Sequence, residues 1–73
     1  MADRLLRIRD VCAITAISDA EVYRRIKAGT FPRQVVIGPG SSRWSYREVQ
    51  SWIKQQVASR DAFASARLVG KGA

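Results

Sequence analysis

Basic side chains carry most of the chemistry this 73-residue sequence offers, with thirteen Lys+Arg against six Asp+Glu. Most are arginine, whose planar, permanently charged fork matches phosphate oxygens and base edges. Six of the bases (Arg24, Arg25, Lys27, Arg33, Arg43 and Arg47) stand between Glu21 and Glu48 with no acid among them. Outside that window seven bases meet six acids, so the window holds nearly all of the formal net charge of +7. Positive charge gathered in one short stretch is the footprint of a surface that binds a polyanion, and nucleic acid leads that class. Other chemistries lack their residues. There is no histidine, so a zinc site of the Cys/His type and a Ser–His or Cys–His catalytic pair are excluded. Cys12 is the single cysteine, which excludes an intrachain disulfide. No lysine or histidine pattern beside it would make a reactive thiolate. Glu21 and Glu48 are spaced to cap helices and Asp19 to meet a helix dipole, not to form a carboxylate pair. We therefore expect no enzyme, no cofactor and no metal.

The elements that position these charges must fit one small domain, for 8.1 kDa allows no second. No apolar run approaches the ~20 residues of a membrane span. The opening MADRLLRIRD lacks the apolar stretch of ~7–15 residues that marks a secretory signal. A cytoplasmic, nucleoid-associated protein that does not enter membranes is expected. Leu5, Leu6 and Ile8 form an apolar entry, and Val11, Ile14 and Thr15 then recur at helical spacing, predicting a short helix over Arg9–Ala16. Ser18 with Glu21 has capping-box spacing. Ile17 and Val22 have that of a hydrophobic staple, and Val22, Tyr23 and Ile26 form an apolar stripe. Gly29 and Pro32 end the element, so a second helix is predicted over Asp19–Ala28. Gln34–Ile37 reads as a strand, Gly38–Ser42 as a five-residue loop, and Arg43–Trp44 as the returning strand of a hairpin. Ser45 with Glu48 repeats the capping-box spacing. The helix behind it is predicted from Tyr46 to Ser59, with Val49, Trp52, Ile53 and Val57 on one face. From Asp61 the pattern fades, which predicts a domain over 1–60 and a flexible tail over 61–73. Tyr23, Phe31, Trp44 and Trp52 are expected in the core.

Two helices joined by a tight turn, a hairpin after the second, and a third helix beneath describe a mostly α protein with a small β-hairpin. This is a minimal winged helix-turn-helix of three helices plus a wing. At ~100° per residue, Ala20, Arg24 and Lys27 lie opposite the apolar arc of the second helix and can face a major groove. Arg25 sits at the side and suits a phosphate, and Ser18 is a further candidate for DNA contact on this helix. On the wing, Arg33, Ser41, Ser42 and Arg43 are candidates for phosphate or minor-groove contact, and Arg47 for a further phosphate. The partner expected is double-stranded DNA. A small α+β domain without any DNA role shares this topology. A basic module that holds an acidic protein shares this charge.

The segments LLRIRDVCAITAIS, EVYRRIKAGTFPRQVVIG and RWSYREVQSWI together resemble the AlpA-type family of phage and prophage regulatory proteins. They also resemble the excisionases built on a MerR-like winged helix. The recurring positions are Val11, Thr15, Ser18, Tyr23, Arg24, Ile26, Gly29, Phe31, Pro32, Trp52 and Ile53, and the match runs from about Leu5 to Val57. It departs at Ala16, where such proteins often carry glycine, and at Asp19 and Ala20, where small polar or basic residues often open the helix. The resemblance implies a small DNA-binding protein of a mobile element. One form is a recombination directionality factor that bends attachment-site DNA, several copies side by side, and steers a tyrosine integrase toward excision. The other is a transcription regulator of integrase or excision genes.

Overall fold

The structure, a computed structural model, describes the backbone of residues 2–72 and the side chains of residues 2–62. Helix α1, Ile8–Thr15, starts one residue earlier than its apolar spacing predicts, because the Asp10 carboxylate accepts the Arg7 N–H at 3.1 Å. It stops at Ala16, whose φ of 63° is left-handed and whose N–H donates to the Cys12 carbonyl at 2.8 Å. Helix α2, Asp19–Ala28, has the predicted bounds. The Ser18 hydroxyl accepts the Glu21 N–H at 3.2 Å. At the other end the N–H groups of Gly29 (φ 80°) and Thr30 close back onto the carbonyls of Ile26 and Arg25, which is a Schellman ending. The capping box is only half made. Instead of returning to Ser18, the Glu21 carboxylate turns along the helix to Arg24 and Arg25.

The sheet has three antiparallel strands in the order β1-β3-β2. They are β1 Leu5–Leu6, β2 Val35–Gly38 and β3 Ser41–Ser45. The apolar entry is thus a strand, pairing Leu5 with Ser45 and Leu6 with Trp44. The hairpin is tighter than expected. Gly38 pairs with Ser41 and Val36 with Ser42, Ile37 bulges between them, and only Pro39 and Gly40 (φ 68°) remain in the turn. The predicted five-residue loop is therefore corrected. Ser41 and Ser42 are strand residues, recruited by pairing with β2.

Helix α3, Tyr46–Gly72, continues past the predicted end at Ser59. The flexible tail expected over 61–73 falls mostly outside the residues whose side chains are described. The three helices, β1, β3 and the segment after α2 contribute to the core, which holds Leu6, Val11, Val22, Phe31, Trp44 and Val49. Two expected core aromatics are corrected. Tyr23 is 45% exposed and meets Trp44 edge-on at 6.0 Å, while Trp52 is half-buried and packs against the cluster. Val57 is 46% exposed, so among the described side chains of α3 the stripe packed on the core ends at Ile53. The result is the mostly helical winged helix-turn-helix architecture, three helices with a small sheet.

Candidate nucleic-acid interface

The face of α2 opposite Val22 and Ile26 carries Ala20, Arg24 and Lys27, and all three are exposed. The Arg24 side chain is 72% exposed, with Nη2 2.7 Å from Glu21 Oε1. A solvent-facing i,i+3 pair of this kind holds at most ~1 kcal/mol, so a phosphate or a base edge can displace the carboxylate. Lys27 stands one turn further on, and the small Ala20 leaves the near end of the face unobstructed.

Arg25 is held differently. Its Nε donates to Glu21 Oε2 at 2.8 Å, and its guanidinium lies 5.8 Å from the centre of the Trp52 ring. Trp52 Nε1 in turn donates to the Thr30 carbonyl at 2.7 Å, and its ring meets Phe31 edge-on at 4.8 Å. Glu21, Arg25, Trp52 and Phe31 thus form a continuous brace that fixes α2 against α3. The brace sets the angle at which Arg24 and Lys27 are presented. Ser18 is exposed, with its hydroxyl accepting at the helix cap.

The remaining bases divide in the same way. Arg33 and Arg47 are exposed and line one shallow groove with Trp52 and Thr30. Arg43 is half-buried on β3, and its Nη1 donates to the Ser42 carbonyl at 2.9 Å. Ser41 and Ser42 are half-buried beside it. Of the six window bases, four are open to solvent and two are engaged within the fold.

Sequence reasoning missed Asp3. Its carboxylate accepts the Ser45 hydroxyl, the Arg47 N–H at 3.0 Å and the Arg4 N–H at 2.7 Å. The Ser45 hydroxyl accepts the Glu48 N–H at 3.2 Å, and the Tyr46 N–H donates to the Arg4 carbonyl at 2.7 Å. The start of α3 is therefore capped jointly by Ser45 and by a residue 42 positions earlier. The hydroxyl of Ser45 and then the Arg47 N–H hold the Asp3 carboxyl below its ordinary value of 3.8. No local spacing points to Asp3, because its partners lie across the fold. Burial, and after it the charge of Asp19, pushes the Cys12 thiol up, away from the lowered value of a reactive thiolate.

A small basic winged helix-turn-helix with an open arginine–lysine face is the class that fold and site define. The family model described as prophage CP4-57 regulatory protein (AlpA) matches residues 4–57, and the chain belongs to that family. Among similar proteins is the uncharacterised protein ORF88 of Enterobacteria phage P4. It is 33% identical over 58 residues, which cover 80% of this chain and 66% of the phage protein. No solved structure matches.

Proposed function

We propose that this chain is a sequence-specific DNA-binding protein of a mobile element, acting as an excisionase. In this reading it binds and bends attachment-site DNA and directs a tyrosine integrase toward excision. The observation that carries the proposal is the exposure of Arg24 and Lys27 beside Ala20 on a helix whose opposite face is buried. Such a helix fits a major groove, and its two long bases reach base edges or flanking phosphates. Arg33 and Arg47 meet phosphates on one side, and Arg43, Ser41 and Ser42 serve the wing. Ser18 and Arg25 act by fixing the helix, although each stands close enough to the same face to touch the backbone of the duplex. Bending a site smoothly costs of order 1–6 kcal/mol, which phosphate contacts along helix and wing offset. The partners are duplex DNA, the integrase and further copies of this chain on neighbouring sites. Circular-permutation gel shifts on attachment-site fragments test the bending. Mobility that varies with site position is expected, and mobility independent of position contradicts an architectural role.

A second reading is favoured by the matched family, one of prophage regulatory proteins. In it the same surface binds a promoter of integrase or excision genes. A promoter footprint with a reporter response and no effect on excision selects this reading over the first.

A further inference from the structure

Strand β2 is left unexplained by a DNA-facing surface. It lies at the edge of the sheet, and its Val35, Val36 and Ile37 are 40%, 69% and 51% exposed. Three consecutive exposed apolar residues on a free edge form a template for pairing with another strand. From Gln34 to the end of β2 at Gly38 there is no charged residue. A phosphate-binding strand would carry bases there.

We infer that β2 is the contact between two copies of this chain, paired edge to edge as antiparallel strands around a two-fold axis. This deepens the DNA-binding reading, and rests on it only for where the copies meet. The occupant follows from charge. Copies that each carry +7 repel except where a neutral patch faces another, and β2 is a neutral, apolar, self-complementary edge. An acidic partner would be drawn to the basic face instead. The size of the contact follows from geometry. Four residues, one of them at a bulge, bury far less than the ~1,200–2,000 Å² of a stable interface. The pairing is therefore weak in free solution and gains strength when neighbouring DNA sites raise the effective concentration. Antiparallel pairing of identical strands is isologous, so the copies face each other wing to wing, on inverted and not on direct repeats.

Two measurements on the full chain test this, with Val36→Lys as the variant, since an exposed position tolerates the change and like charges then meet at the axis. In sedimentation equilibrium without DNA, at about millimolar protein and enough salt to screen the net charge, the parent chain shows partial dimer and V36K only monomer. In fluorescence titrations, a mixed-sequence duplex of about 12 base pairs, little over one helical turn, takes one copy, and one of about 40 takes several. The parent chain binds the longer duplex cooperatively, tighter per copy by about tenfold, and V36K loses the cooperativity while keeping or raising its affinity for the short one. Monomer throughout together with no cooperativity overturns the inference, as does undiminished association by V36K. Weakened binding of V36K to the short duplex also overturns it, by showing that β2 touches DNA. Dimer without DNA, lost in V36K, and no binding to either duplex uphold the pairing and contradict the DNA-binding reading instead.

Discussion

Ala16 shows how much a single residue can reveal at this size. It ends α1 in the left-handed region at φ 63°, and its N–H closes the turn onto Cys12. A residue with a Cβ pays ~1–2 kcal/mol for that conformation. Glycine gains it freely but loses more chain entropy on folding. Ala16→Gly is expected to stabilise by about 1 kcal/mol, raising Tm by about 4–8 °C in a domain this small. Thermal melting at or below the parent Tm contradicts strain at this position. Asp3 gives a second prediction, and its sign follows from the direction of its shift. A carboxyl held below 3.8 contributes stability above that pH, and the contribution is lost as pH falls through the lowered folded value. Asp3→Ala should therefore melt lower than the parent at neutral pH, and the two melting curves should converge as the pH drops below 3.8. A constant gap at all pH values contradicts the role of the charge. These two residues also mark the boundary of what local pattern conveys. Glycine's usual place in such turns makes Ala16 visible as a departure, whereas Asp3 acts on Ser45 and Arg47 through contacts that only tertiary structure creates.

At the scale of elements, the bounds of α2 were fully legible because both of its ends are written locally. Ser18 caps it, Gly29 closes it, and the stripe between them buries Val22. Strand β1 was not, since two leucines become a strand only by pairing with Ser45 and Trp44 some forty residues away. The hairpin loop shrank for the same reason. Every residue of Gly38–Ser42 has turn character, and cross-strand pairing, not propensity, assigns Ser41 and Ser42 to β3. The tryptophans exchange rank on the same logic. Both have apolar spacing, but Trp44 is 1% exposed at the centre while Trp52 is half-buried and braces Arg25 and Phe31. Trp44→Ala should cost ~3–5 kcal/mol, enough to unfold a domain with so small a core. Trp52→Ala should stay folded with a lower Tm, and far-ultraviolet circular dichroism separates the two. Unfolding of W52A with W44A intact would reverse the assignment. The brace also explains why W52A should weaken any function of α2 without touching its exposed face.

For the whole molecule, the number that matters is where +7 resides. The sequence already confined six of the seven net charges to the stretch between Glu21 and Glu48, and the fold divides that stretch by use. Arg25 and Arg43 are turned to internal contacts, while Arg24, Lys27, Arg33 and Arg47 stay open. Such a division cannot be read from composition, because a half-buried and an exposed arginine look alike in sequence. It leaves four solvent-exposed cations on α2 and in the groove at the start of α3, Arg24 among them held only by a surface pair to Glu21, as counterion release at a polyanion requires. The measurement that tests this most directly is duplex affinity against salt, by fluorescence anisotropy on the parent chain and on the double variant Arg24→Ala with Lys27→Ala. If the open bases neutralise phosphates, log K falls linearly with log salt, by about 0.9 for each phosphate met. A slope near 3–4 is then expected for four such bases, reduced by about one to two in the double variant. A flat response to salt, or a double variant with unchanged affinity and slope, would contradict DNA binding by this face.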